Sequence, residues 1–345
     1  MQRKKHSGGG AFIQDIDFVL LDSYSLLFRA FYAFPLSLTS PDGELTNATF
    51  GFTKLLLDMM QKIHPDYLVA AIDMGEPTFR HEAFVDYKAN REEAPNELKQ
   101  QIKFMQQILE VLNVPTLGFV GYEADDVIGT IATDLREEHP DKNVGIFTGD
   151  RDSFQLVGES VYVIMPATGR GRSGLDLVDS ERVIDKFSVR PDQVVDYKAL
   201  CGDASDNIPG VKGVGPKTAA QLLHEFGTLQ RIYLGLALAA NQQEVLDAFK
   251  VTLDEATKSD LAAKAAALSP SVIRKLTADQ ENAFLSQKLA QIDTRVPLDF
   301  DIEQARVNEY DKALATEVFT HLGFRSLLKQ LPNDRFETAI QESLF

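Results

Sequence analysis

The chain has 345 residues, 44% of them hydrophobic, enough to bury the core of one large domain or two modest ones. It contains no apolar run of bilayer length, and its polar start lacks the apolar stretch of a secretory signal, so a cytoplasmic protein is expected. One cysteine, Cys201, and six scattered histidines exclude an internal disulfide and a sulfur- or imidazole-bound zinc, while a net charge of −16 confines any nucleic-acid contact to local basic patches.

Residues 1–14 are Gly-rich and charged without apolar periodicity, and read as a flexible tail. Phe18 begins a short apolar run that ends in Asp22. The same form recurs at 67–72 before Asp73 and at 144–148 before Gly149 and Asp150. Each is expected to be a buried strand ending in an acid. Helical patterns lie at 25–34, 48–63, 95–112 and 123–138. This alternation predicts an α/β domain over 15–190 with a mostly parallel central sheet flanked by helices. From Pro191 the character changes to helices and Gly-rich turns, with helical segments at 254–268 and 277–290. A helical second region is expected over 191–335, followed by a tail at 336–345.

In an open parallel sheet the carboxyl ends of the strands share one edge, where ligands bind. Asp22, Asp73 and Asp150 should meet there. Glu123, Asp125 and Asp126 open the helix at 123–138, and Asp152 follows Asp150 by two residues. Taken singly, these are ordinary helix-dipole partners, caps and turn residues. Brought to one edge, they repel one another unless cations compensate them. Oxygen ligands without His or Cys select Mg2+, with Mn2+ as a substitute. Asp203 and Asp206, in the stretch Gly202 to Asn207, add further carboxylates, and the set could serve two ions that activate a water and stabilise the leaving oxygen of a phosphodiester.

The stretch 207–223 joins two helical segments through a Gly-rich hairpin, with Pro216 placed for a first helical turn. Gly210, Gly213 and Gly215 allow a tight turn whose amides, with those of the next helix start at Lys217 and Thr218, could face a phosphate. No acid lies between Asn207 and His224, whereas Lys212 and Lys217 supply charge. The spacing resembles helix–hairpin–helix elements that grip duplex backbone without reading sequence. A plain packing corner is the alternative. In 79–104, basic and acidic residues balance, as on a solvated helix face, yet Lys88 and Arg91 lie one turn apart and could meet one phosphate.

The order of these stretches resembles the 5′ nuclease domain of bacterial DNA polymerase I, within the flap endonuclease family, over about residues 16–333. The matching segments include those ending at Pro35, Arg80, Arg91, Gly129, Asp152 and Ala219. The resemblance implies a PIN-like fold with a helical arch at about 79–104 and a helix–hairpin–helix (H3TH) element at about 192–225. It implies a first metal site of Asp22, Asp73, Glu123 and Asp125 and a second of Asp125, Asp150, Asp152 and Asp206, with Asp126 and Asp203 as further or water-mediated ligands. Lys88 and Arg91 match a basic pair at the arch base and Phe28 an aromatic on which a base stacks. Arg80 and the hairpin residues Gly210, Lys212, Gly213, Gly215, Lys217 and Thr218 would contact DNA, and backbone carbonyls of the hairpin would bind K+.

The implied activity is a two-metal 5′-3′ exonuclease and flap endonuclease of replication and repair, acting on branched or nicked duplexes and RNA primers, leaving 5′-phosphate and 3′-hydroxyl. A monomer near the bacterial nucleoid, with a DNA polymerase in cis or in trans, is expected. A DNA-junction binder without catalysis and a PIN-type ribonuclease are the alternatives. One departure is Ser23, where the family usually has Gly after the first acid.

Overall fold

The computed structural model describes residues 13–167, 174–249, 251–307, 309–334 and 337. The tails expected at 1–14 and 336–345 fall largely outside the described residues. Packing divides the chain into two compact units. The first comprises Met1–Glu76, Glu93–Asp179 and Asp293–Phe345, and the second Pro77–Glu92 and Ser180–Ile292.

The chain opens with β1 (Phe18–Asp22), α1 (Ser23–Ala33), α2 (Asn47–Ile63) and β2 (Tyr67–Ala71). The short α3 (Phe79–Ala83) belongs to the second unit. The first unit then resumes with α4 (Asn96–Val111), β3 (Thr116–Leu117), α5 (Ala124–Glu138), β4 (Val144–Phe147), β5 (Val161–Pro166) and β6 (Leu175–Val178). The strands form one sheet in the order β3-β2-β1-β4-β5-β6, parallel throughout except for β6, which runs antiparallel to β5. All five residues of β1 are buried, as its unbroken apolar run requires of a strand covered on both faces. Register sets Asp22 opposite Ala71 of β2 and Leu21 opposite Phe147 of β4, so the three strands end side by side, and Asp73 and Asp150 follow the ends of β2 and β4 in the loops just beyond.

The expected boundary at 190 does not hold for the end of the chain. After the second unit, the chain re-enters the first. Val307 N donates to Asp66 O, Tyr67 bridges Arg306, and Phe319 and Phe324 of the α14 segment (α14, Lys312–His321) join the core formed by Phe52, Leu98, Met105 and Ile108. The α4 half of the expected arch is likewise a core helix, because Leu98, Met105, Ile108 and Leu109 recur at helical spacing and are buried.

The second unit holds α6 (Ser180–Phe187), α7 (Val194–Cys201), α8 (Pro216–Phe226), α9 (Leu229–Ala239), α10 (Gln243–Ala248), α11 (Glu255–Ala266), α12 (Pro270–Ala278) and α13 (Gln280–Ala290). The single helix expected at 277–290 is thus part of two. Asp279, at ψ 26, leaves helical geometry between α12 and α13. Among the described residues no helix is long and apolar enough to cross a membrane.

Candidate active site and DNA-binding hairpin

Within the first unit, Asp22 ends β1 and caps α1, its Oδ1 accepting Ser25 N at 3.1 Å. Its Oδ2 accepts the Thr148 hydroxyl at 2.5 Å, and the same Thr148 oxygen accepts Asp150 N at 2.9 Å. Thr148, which sequence reasoning did not single out, therefore ties the ends of β1 and β4 together. Asp73 Oδ1 accepts Ala124 N at 2.8 Å, which fixes the end of β2 against the start of α5. Asp150 Oδ1 accepts Asp152 N at 3.0 Å. Glu123 caps α5 and is 9% exposed, and Asp125 lies in the same first turn with its Oδ1 shielded from solvent.

Burial is the largest influence on Asp22 and pushes its carboxyl up. The bonds from Thr148 and Ser25 oppose that, the charges of Asp150 and Asp73 add to it, and the result is about 6. The carboxylates of three neighbouring strand ends therefore feel one another, as the topology requires. Among the described residues, no three acidic, His or Cys side chains already form a shell that could hold a metal ion. The donors nevertheless fit a hard divalent cation in kind: all are oxygens, and a cation would favour the charged form of Asp22 against the burial and the neighbouring charges that raise its carboxyl.

Asp126 departs from the expectation of a ligand. It is fully buried, and backbone amides occupy both of its oxygens, Oδ2 accepting Glu123 N at 3.0 Å and Oδ1 accepting Asp293 N at 2.8 Å. It is a helix cap that also anchors the returning chain. Phe28 is 38% exposed on α1 while its neighbours Leu26, Leu27 and Ala30 are buried.

The second unit brings the basic pair onto Asp206. Arg91 forms an ion pair with Asp206 Oδ1, and Lys88 Nζ lies 3.9 Å from Oδ2, to which Tyr87 also donates at 3.3 Å. Lys88 N donates to Asp206 O at 3.0 Å, and Asn90 and Asn207 lash the two loops together through Ala204 O and Asp86 O. Lys88 adopts φ 56, a left-handed conformation that a side chain tolerates only when its surroundings enforce it. Asp206 is only 6% exposed, so binding a metal would require it to exchange these partners.

Asp203, expected as a further ligand, is also committed elsewhere. Its Oδ2 accepts Lys198 Nζ at 2.6 Å and its Oδ1 accepts Ser205 N at 2.9 Å. Burial would raise this carboxyl, but the charge and hydrogen bond of Lys198, with the bonds from Ser205, hold it down at about 2. Arg80 does not face solvent as a DNA contact would. It is 2% exposed, its Nε donating to Leu289 O at 2.9 Å and its terminal nitrogen to Gln291 O at 2.7 Å, so it caps the carboxyl end of α13.

The hairpin connects α7 and α8. Gly210 is structural: a Cβ there would stand 2.3 Å from Gly202 N, and Gly210 N donates to Ser286 Oγ. Val211 N and Lys212 N are likewise taken, by Leu200 O and Asp279 Oδ2. The amides of Gly213, Gly215, Lys217 and Thr218 find no acceptor among the described residues. Lys212, Gly213 and Lys217 are exposed. The surface that could meet a phosphate is therefore the distal half of the hairpin and the start of α8.

Comparison with known proteins agrees with this architecture. Residues 17–188 match the family model of the 5′-3′ exonuclease N-terminal resolvase-like domain, and residues 189–313 that of the 5′-3′ exonuclease C-terminal SAM fold. The chain is 37% identical over 313 residues to DNA polymerase I of Caldicellulosiruptor bescii, covering 91% of this chain and 33% of that protein. It is 32% identical to DNA polymerase I of Bacillus subtilis, covering 94% of this chain and 33% of that one. The chain thus spans about a third of the length of these relatives. In fold it is similar to the bacteriophage T5 flap endonuclease, in a pseudo-enzyme-product complex with DNA and metal ions, at TM-score 0.56 and 18% identity over 94% of this chain and 98% of that one. It is also similar to the catalytic core of Rad2 in complex with DNA substrate, at TM-score 0.55 and 20% identity over 92% and 93%. With an acid-edged parallel sheet, a helical hairpin unit and both matched models, the chain belongs to the 5′-3′ exonuclease family.

Proposed function

We propose that this chain is a structure-specific 5′ nuclease that cleaves DNA at 5′ flaps and 5′ ends, leaving a 5′-phosphate and a 3′-hydroxyl. The observation that carries this reading is the gathering of Asp22, Asp73 and Asp150 at the carboxyl ends of three adjacent strands, where burial first and then the charges of Asp150 and Asp73 raise Asp22 to about 6. Asp22, Asp73, Glu123, Asp125, Asp150 and Asp152 are the proposed metal-holding carboxylates. Divalent ions bound there, Mg2+ in the first instance, would supply Lewis-acid compensation of the charge that develops on the phosphodiester.

The remaining residues bind and orient. Exposed Phe28 offers a ring on which a base near the cut could stack. Lys88 and Arg91 are proposed to stabilise the phosphate, and the pairing with Asp206 holds them ready meanwhile. Lys212, Lys217 and the open amides of Gly213, Gly215 and Thr218 grip duplex backbone without reading sequence. A K+ ion at the hairpin would use carbonyls other than that of Gly213, which already accepts Lys275. A cytoplasmic monomer working with a DNA polymerase, covalently linked or separate, on displaced strands and RNA primers completes the reading.

Incubation with Mg2+ and a labelled 5′-flap duplex, a blunt duplex and single-stranded RNA tests it. Cutting is expected on the flap substrate and not by an Asp150→Asn variant. A flap that is bound and left intact would sink the nuclease reading in favour of a junction binder. Preference for RNA without a junction would favour a PIN-type ribonuclease.

A further inference from the structure

We infer that Lys275, which lies outside the hairpin's own sequence, is a working part of it: it pins the hairpin tip and presents an ammonium to the duplex backbone. This rests on the reading of the hairpin as the duplex grip. Lys275 lies on α12, more than 60 residues from the hairpin in sequence, yet its Nζ donates to Gly213 O at 2.8 Å. Its stem crosses the tip so closely that a Cβ built on Gly213 would stand 3.1 Å from Lys275 Cε and 3.3 Å from Nζ. Gly213 also sits at φ 81, a backbone conformation that favours glycine, and a side chain there would crowd the Lys275 stem as well.

The contact uses one of three ammonium protons, and no carboxylate pairs with Lys275 among the described residues. The nearby acid at the tip, Asp279, is committed: Oδ2 accepts Lys212 N at 2.8 Å and Oδ1 accepts Asn282 Nδ2 at 3.1 Å. Lys275 and Asp279 thus clamp consecutive hairpin residues from the α12–α13 junction, with Ser286 of α13 holding Gly210 behind them. The tip carries Lys275 in addition to exposed Lys212 and Lys217, beside the amides of Gly213 and Gly215, which find no acceptor among the described residues. A third charge, fixed by a hydrogen bond to the backbone, loses less freedom on meeting a phosphate than a loose surface lysine does.

The test compares Lys275→Met, Lys275→Arg and the double variant Lys212→Ala with Lys217→Ala, all in the full chain. It reads duplex Kd against salt and steady-state flap cleavage. Lys275→Met is expected to raise Kd about threefold to tenfold at low salt and to make the log–log salt dependence shallower by about 0.9, the value of one lost phosphate contact. The cleavage loss should appear in KM and not in kcat, and Lys275→Arg should restore the salt slope. A Kd that rises with the salt slope unchanged would reduce Lys275 to a structural brace and overturn the proposal. So would an unchanged Kd for Lys275→Met beside a weakened Lys212/Lys217 variant. If the Lys212/Lys217 variant binds as well as the parent chain, the hairpin reading itself fails, and the assignment of Lys275 with it.

Discussion

The two units achieve opposite electrostatic ends by different structural means. The first gathers acids at the ends of buried parallel strands, where sheet register places them and burial makes their charge costly. The second gathers lysines on a hairpin, with amides that find no acceptor among the described residues, and side chains from distant helices hold its backbone in place. Site precision thus comes from the sheet in one case and from cross-helix hydrogen bonds in the other. A net charge of −16 is therefore compatible with the DNA-binding surface proposed above, because its basic groups are fixed locally and are not spread as a field.

The largest effect is expected from removing one charge at the sheet edge without disturbing the fold. Asp73→Asn keeps the oxygen that accepts Ala124 N, so the junction between β2 and α5 should survive. Cleavage at saturating substrate and Mg2+ should nonetheless fall about a hundredfold to a thousandfold, the scale on which removal of one charge-stabilising group acts. Single-turnover kinetics beside duplex-binding titrations check this. A parallel loss of binding would mean that the acidic edge and the hairpin do not divide the labour as described.

Arg80 is the counterpart to the hairpin lysines, a cation of the second unit that serves the fold. Arg80→Met should lower the denaturation midpoint of the full chain, at a cost of about 2 to 3 kcal/mol, since the carbonyls of Leu289 and Gln291 lose a charged donor. At temperatures well below the transition, duplex Kd should stay within a factor of about two of the parent value if the side chain contributes no phosphate contact. A clear loss of affinity in the still-folded variant would return Arg80 to the DNA-binding surface.

Arg80 also shows where the sequence stops being legible. The three strand ends were readable because each is a continuous apolar run with an acid at its close, and a parallel sheet leaves one place for such acids. The glycine spacing of the hairpin was readable because turn geometry is local. What a charged side chain does is not local. Arg80 finds its partner 209 residues away at Leu289, and Asp126 is claimed by Asp293, 167 residues away. Within their own motifs Asp126 and Asp203 look like Asp125 and Asp206. Only the packed structure shows that backbone amides or Lys198 have taken their oxygens. Thr148 was missed for a related reason: a threonine at a strand end carries no signal until the acids on either side are seen to share its hydroxyl. The return of the last segment to the first unit was hidden because Phe319 and Phe324 form an apolar pattern that any core could accept.

The smallest effect concerns Asp203 and separates a structural carboxylate from a metal-holding one. Its folded carboxyl is held at about 2 against an ordinary 3.8, so the folded state binds its proton less tightly than the unfolded chain does. The resulting stabilisation, about 2 kcal/mol by linkage, is fully present above about pH 4 and disappears as the pH falls towards 2. Asp203→Asn should therefore be less stable than the parent chain in urea at pH 6, and the gap should close on acidification. Lys198 is 6% exposed at its side chain, so losing its countercharge accounts for the penalty. If Asp203 were a metal ligand, the gap at pH 6 would instead depend on Mg2+, widening when the ion is added and shrinking with a chelator. A gap unaffected by Mg2+ and abolished by acid identifies the Lys198 pairing as its source.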